Sequence, residues 1–324
     1  MRIFLGLIAL GCADPAPEPA VIGPVAEVVP DLPQPPKGFS AIGMVRVTGG
    51  VVELGPRHGL GPPPKPGPGP LPKYVSTPPR EQPVSAWNSR AGMGLQKRKA
   101  KVSAFLIDQT EVTQAAYAGF VEEAGYRPPH VSEEWAASDW NWAGTRGPEG
   151  KESHPVTLVS FYDAQAYCNW RGKRLPTEAE WQLAALGPSD ARRMFPWGTR
   201  YRAERLNHGQ LEAPHMDASD GYPGTAPVGQ YAEGRSPYGL DDMFGNAWEY
   251  TADLRIDDWS SARHEGFDAS GAMVNVSAPG PGLRVAVRGG SFYFDFEPNP
   301  GGEWSAFVPE SRRKSAGFRC AADV

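Results

Sequence analysis

The sequence predicts a loop-rich α+β domain with short strands and a few helices, and three observations carry that prediction. Glycine and proline are abundant, 38 and 35 of 324 residues, so regular elements are interrupted more often than in an average globular chain. Apolar residues make up 40% of the chain and aromatics 10%, which is enough for a substantial core. Helical periodicity is confined to three stretches before residue 187, after which Trp, Gly, Asn and Asp dominate and the strands are expected to be short. There is no internal repeat and no second region with a core of its own. The formal charge is −5 with both signs spread along the chain and no basic run, which argues against nucleic acid or an anionic membrane surface as a partner.

Residues 1–11 read as an export signal. Arg2 supplies the early positive charge, and the apolar run Ile3 to Leu10 is too short to span a bilayer but suits the core of such a signal. Gly11-Cys12 then resembles a bacterial lipoprotein cleavage site, with Cys12 as the lipidated first residue, although Ala9 stands where Leu is more usual. An ordinary secretory signal with an incidental cysteine is the alternative. The chain has three cysteines, Cys12, Cys168 and Cys320. If Cys12 carries lipid, the other two are free to pair in an oxidising compartment.

Residues 12–40 follow as the lipidated cysteine and a tether, because proline recurs there too often for helix or sheet. The folded domain spans 41–324. Its first element is AIGMVRVTGGVVELG, read as strand-turn-strand about Gly49-Gly50. A Pro/Gly-rich insertion at about 56–98 interrupts the domain after that hairpin and reads as a surface spacer. AFLID, residues 104–108, is a strand. Residues 113–124 place Tyr117, Phe120, Val121 and Ala124 on one face of an amphipathic helix. Ser160 and Asp163 form a capping box for a second helix that stops at Gly172. Thr177 and Glu180 form another, for a helix through Trp181 and Leu183 that ends at Gly187.

Three phrases carry more than composition does. They are HPVTLVSFYDAQAYCNWRGKRLPTEAEWQLAALG (154–187), TAPVGQYAEGRSPYGLDDMFGNAWEYTAD (225–253), and VRGGSF followed by GFRCAAD. With MVRVTGGVVELG, FLIDQTEVT and FPWG in the same order, they resemble the formylglycine-generating enzyme family, the sulfatase-modifying factor domain. The resemblance runs from about Ala41 to the last residue, apart from the Pro-rich insertion. It implies a modified C-type-lectin-like fold with bound calcium.

The copper-dependent members of that family use two cysteines after the Arg/Lys-Gly-Gly-Ser motif to oxidise a cysteine of a client sulfatase. Counting from Ser291, those positions hold Phe294 and Asn299. Neither can ligate Cu(I), which requires soft thiolate sulfur, so no copper is expected and no catalytic residue is assigned. Cys168 and Cys320 match the cysteines that form the family's structural disulfide, and a disulfide leaves no thiolate for a metal.

Calcium is the chemistry the resemblance leaves in place, since hard cations take carboxylate and carbonyl oxygens from irregular loops. The matching ligands are Asp242, Glu249 and the carbonyls of Gly245 and Ala247. The family has Asn where Asp242 stands, so this chain carries one more charge there. A second site would use Asn207 and Asp220 with the carbonyls of His208 and Tyr222, at a spacing one residue shorter than expected. One or two Ca2+ per chain are therefore expected. Read on residue chemistry alone, the same acids would cap turns.

None of the six histidines is paired at helical spacing. His154 is read as a structural hydrogen-bonding residue. The tryptophans at 140, 142, 170, 181, 197, 248 and 259 are core residues more often than they are a carbohydrate groove.

Two functions remain open on sequence. The first is an exported, lipid-anchored binding or accessory module for a protein or glycan of the bacterial cell envelope. It would sit at the outer membrane or periplasmic face and lack the copper oxidase site; a secreted form is the alternative location. The second is an oxidoreductase, a non-haem metal enzyme of the same family, acting on an envelope protein or small molecule.

Overall fold

The computed structural model describes residues 39–54, 98–132, 136, 139–209, 218–257, 264–267, 273–276, 282–293 and 304–324. The expected signal, Cys12, nearly all of the tether and nearly all of the insertion lie outside them.

An antiparallel ribbon opens the domain, and it differs from the hairpin expected there. Strands β1 (Met44–Val47) and β2 (Gly50–Leu54) do not pair with each other. β1 pairs with β4 (Phe105–Asp108), and β2 pairs with β3 (Arg98–Val102). The four strands are two interrupted arms lying side by side, broken at 48–49 opposite 103–104, where Val47 faces Phe105 and Gly50 faces Val102. A Cβ at Gly49 would lie 2.7 Å from the Val102 carbonyl oxygen. The Gly pair thus permits a close crossing of the two arms, not a turn. The Pro/Gly-rich insertion consequently joins β2 to β3 at the far end of the ribbon instead of following a completed hairpin.

Three helices follow with the expected start signals. In α1 (Gln114–Ala124) the Thr113 side chain accepts from the Ala116 amide, and Tyr117, Phe120 and Val121 are buried while Ala124 is partly so. Capping boxes of Ser160 with Asp163 and of Thr177 with Glu180 open α2 (Phe161–Trp170) and α3 (Glu178–Leu186). Burial runs almost all round α3, because β2, β3 and two later strands, β5 (Trp248–Asp257) and β8 (Gly282–Arg288), all lie against it.

The later part of the chain is more regular than its composition suggests. Strand β5 (Trp248–Asp257) has ten residues, with an irregularity between Tyr250 and Leu254. It pairs antiparallel with β8 (Gly282–Arg288), which pairs in turn with β9 (Trp304–Phe307). Strand β10 (Ala316–Gly317) joins β5 in parallel. β6 (His264–Phe267) and β7 (Met273–Val276) form a separate pair. β11 (Ala321–Asp323) returns to β4, so the C-terminus closes the first sheet.

Among the described residues an aromatic-rich core spans these layers, with a second, small cluster of Val131, Ala136 and Leu158 under Trp140. Trp142, Trp170, Trp181 and Trp248 are buried, while Trp140 and Trp197 are partly buried. Cys168 of α2 and Cys320, just before β11, are joined by a disulfide with Cα atoms 5.6 Å apart. Among the described residues no helix is long and apolar enough to cross a membrane.

Candidate metal centre

The segment 241–249 is shaped by three residues with positive φ: Asp242 at 52°, Gly245 at 88° and Asn246 at 58°. Gly245 cannot be replaced without movement, since a Cβ there would meet the Asn207 carbonyl oxygen at 2.2 Å. Asn246 fixes the turn by an amide exchange. Its Oδ1 accepts from the Ala226 amide at 2.9 Å, and its Nδ2 donates to the Ala226 carbonyl. Its own amide donates to the Asn207 carbonyl. The tight winding delivers Asp242 and Glu249 to one buried cluster, with the carbonyls of Gly245 and Ala247 on the segment between them.

Arg319 sits at the centre of that cluster, fully buried. Its Nε and Nη2 donate to the two oxygens of Glu249 at 2.8 and 2.7 Å. Nη2 also donates to the Asp241 carbonyl, and Nη1 to the carbonyls of Asp108 and Gln109. The five guanidinium N–H groups are thereby committed. Burial works against the charge of Arg319, but Glu249 and its neighbours hold its pKa above the ordinary value. Glu249 also accepts from the Trp181 indole N–H at 2.7 Å.

The residue that sequence reasoning missed is Glu111. It is 1% exposed, and neither carboxylate oxygen has a hydrogen-bond partner. Arg319 comes no closer than 4.0 Å. Burial, then the charge of Asp242, push the Glu111 pKa well above the carboxylate range. Asp242 accepts from the Gly229 amide at 2.6 Å, yet burial raises its pKa to about 6. A signal for Glu111 existed in the sequence: it lies two residues before the Thr113 cap, outside the first helical turn where an acid would serve the helix dipole. Asp241, next to Asp242, is paired separately with Arg235 at 2.6 Å and with Gln109.

The second expected set is also brought together. Asp220 accepts from the amides of His208 and Tyr222, each at 2.9 Å, which clips the two loops to each other. Asn207 donates to the Gly224 carbonyl, while its buried Oδ1 has no partner. His154 lies beside this set. Its Nδ1 is 3.1 Å from the Thr225 hydroxyl, and burial lowers its pKa to about 4.

The oxygen donors suit a hard cation in type: in the second set Asn207 Oδ1 is buried with no donor facing it, while beside the first set the bare oxygens are those of Glu111, both Glu249 oxygens being taken by Arg319 and Trp181. Among the described residues no three His, Cys, Asp or Glu side chains converge to hold a metal by themselves. A cation at either place would therefore draw on the main-chain carbonyls as well.

The strand leading to the missing cysteine positions, β8, ends at Arg288, and Ser291 three residues on is buried. Phe292 stacks on Trp140 at 5.8 Å, and the Lys314 ammonium lies over Tyr293 and Trp140. Phe294 and Asn299 lie outside the described residues.

A family model for the sulfatase-modifying factor enzyme 1-like domain matches residues 29–324. The formylglycine-generating enzyme of Thermomonospora curvata is 34% identical over 264 residues, covering 70% of this chain and 84% of that one. The inactive C-alpha-formylglycine-generating enzyme 2 of Bos taurus is 32% identical over 260 residues, covering 69% of this chain and 79% of its own length. The solved structure of PvdO from Pseudomonas aeruginosa has a TM-score of 0.56 at 18% identity, over 87% of this chain and 94% of that one, a likeness of fold alone.

Proposed function

Since the chain belongs to the sulfatase-modifying factor enzyme 1-like domain family, we propose that it is a member without the cysteine-pair copper oxidase, acting as a binding or accessory module. One observation carries this reading. Only three cysteines are present, and two of them, Cys168 and Cys320, are tied to each other. A Cu(I) site of the family's kind needs two thiolates, and Cys12 alone would remain to supply them. The positions after Ser291 that would carry the pair hold Phe294 and Asn299. An inactive relative at 32% identity makes loss of the activity on a retained scaffold an unexceptional outcome.

The module is placed in the bacterial cell envelope, on the strength of the apolar run 3–10 and the Gly11-Cys12 pair. Cys12 holds the lipid and the Pro-rich residues after it hold the domain clear of the membrane. Its partner is an envelope protein or glycan. Calcium serves as a structural ion at Asp242, Gly245, Ala247 and Glu249, and at Asn207, His208, Asp220 and Tyr222.

The test is turnover. The purified protein, supplied with copper and oxygen, is incubated with a peptide containing Cys-x-Pro-x-Arg, and the peptide mass is followed. No conversion of cysteine to aldehyde is expected. Conversion would overturn the reading and bring the oxidoreductase alternative forward.

A further inference from the structure

A shallow cleft of about 320 Å3 opens where the chain enters the domain, lined by Phe39, Gly172, Lys173, Arg174, Ala322 and Asp323. Its floor is small and without net charge. Gly172 adds no side chain, Ala322 is buried, and Lys173 is already answered by Asp108 at 2.5 Å. Phe39 is 48% exposed, and a Cβ on Gly172 would lie 3.7 Å from the Phe39 Cβ. The Asp323 side chain is 86% exposed. Both bonds it accepts from Arg174 fall on Oδ1, and the other donors of Arg174 go to Glu180 and the Leu175 carbonyl. Oδ2 is thus left for a further cation.

We propose that the cleft is a docking site for the chain just before Phe39, Pro33 to Gly38, with the Lys37 ammonium on Asp323. Three observations favour this occupant. The segment is tied to the cleft through Phe39, so its effective concentration there is high. The family model matches from residue 29, so the family pattern reaches back past Phe39 through this segment. The chemistry also agrees. PQPPKG has three prolines, and a proline-rich chain is extended in advance and loses little freedom on docking against a shallow apolar surface. Lys37 is the only cation between Arg2 and Arg46, whereas Asp14, Glu18, Glu27 and Asp31 would be repelled by Asp323. Of the whole tether, only the end next to Phe39 carries the charge that Asp323 accepts.

Docking would restrict the free spacer to the residues before Pro33 and fix the face of the domain turned toward the anchor. That consequence rests on the lipid-anchor reading above; the docking itself does not. The experiment uses the purified full-length chain with a photo-reactive benzophenone amino acid in place of Gln34 and, in a second sample, in place of Ala20. After irradiation, the crosslinked peptides are identified by mass spectrometry. Both substitutions lie in the tether and leave the folded domain untouched.

The probe at Gln34 is expected to crosslink within 171–174 or 321–324, and the probe at Ala20 is not. Lys37→Glu, which sets two acids against each other, should lower the Gln34 yield at least about threefold, as reversal of an exposed ion pair implies. Crosslinks from Gln34 to other parts of the domain or to a second copy, or none at all, would overturn the proposal. So would a yield that Lys37→Glu leaves unchanged, since the choice of segment depends on that charge. The mass of the peptide that begins at Cys12 tests the anchor separately: a peptide without lipid would remove the anchor reading and leave the docking standing.

Discussion

Asp163 and Glu111 are both fully buried carboxylates, and the chain around them serves them very differently. Asp163 accepts from Arg127 Nε at 2.9 Å and Tyr126 at 3.1 Å on one oxygen. Its other oxygen accepts from the Ser160 amide and hydroxyl at 2.8 Å and lies 2.6 Å from Arg312. Burial alone would raise its pKa, but Arg312 and then Arg127 outweigh burial and hold it below the usual value. Glu111, at the same depth, accepts from no donor, and its pKa moves the opposite way. Depth therefore does not fix the state of a buried acid; the donors aimed at it do. The over-answered acid locks a helix start, and the unanswered one keeps two buried oxygens without a donor.

The sharpest way to break the comparison is to remove the charge that is already matched. Asp163→Asn keeps the size and leaves Arg312 buried without its anion, so a loss of about 3–5 kcal/mol is expected, measured by urea unfolding. The pH dependence separates charge from packing. The folded pKa of Asp163 lies below its ordinary 3.8, so its contribution is fully present above that value and is lost as pH falls through the lower folded value. The gap between parent and variant should be constant from neutral pH to about 5 and close below about 4. A gap that persists in acid would mean the loss is one of packing.

The disulfide links the two regions, and cutting it comes next in size. Cys168 lies on the helix that Asp163 opens, and Cys320 is the neighbour of Arg319. The bridge closes a separation of 152 residues, for which a chain-entropy model gives about 5 kcal/mol, and removal of native bridges commonly costs about 2–5 kcal/mol. Cys320→Ser should destabilise within that range and expose one new free thiol, at Cys168, to a thiol reagent. A variant that melts with the parent would show that the Cys320 main chain is held instead by the hydrogen bond its amide donates to the Asp108 carboxylate.

These regions were not equally legible in the sequence. Ser160 with Asp163 and Thr177 with Glu180 declared themselves through local spacing, because a capping box is satisfied within four residues. The pairing of β1 with β4 was not local: the apolar alternation marked the strands, but nothing nearby showed that Gly49 serves a crossing instead of a turn. The answer lies with Val102, some fifty residues on and beyond the insertion. The chemistry of Glu111 was hidden for the same reason. Its environment is built from residues 242, 249 and 319, and only the fold gathers them. Asp242, Gly245, Ala247 and Glu249 were within reach because they lie in one short phrase of a resembling family.

The mildest test uses the two capping boxes themselves, one motif placed in two surroundings. Thr177 accepts from the Glu180 amide at 3.2 Å, and Glu180 is held on its outer side by Arg174, which is partly exposed. Thr177→Ala should then cost about 1 kcal/mol, the ordinary value of a helix cap. Ser160 makes the same bonds, the one from its hydroxyl to the carboxylate included, but its acid, Asp163, is fully buried whereas Glu180 is not. Ser160→Ala removes a cap and leaves a buried carboxylate short of one donor, so about 2 kcal/mol is expected. Chemical denaturation of the two variants side by side measures the difference. Equal losses would show that Arg312 and Arg127 shift to cover the missing donor, and that the over-answered site has donors to spare. An excess at Ser160 would show that each bond to Asp163 counts, and that the contrast with Glu111 is one of energy as well as geometry.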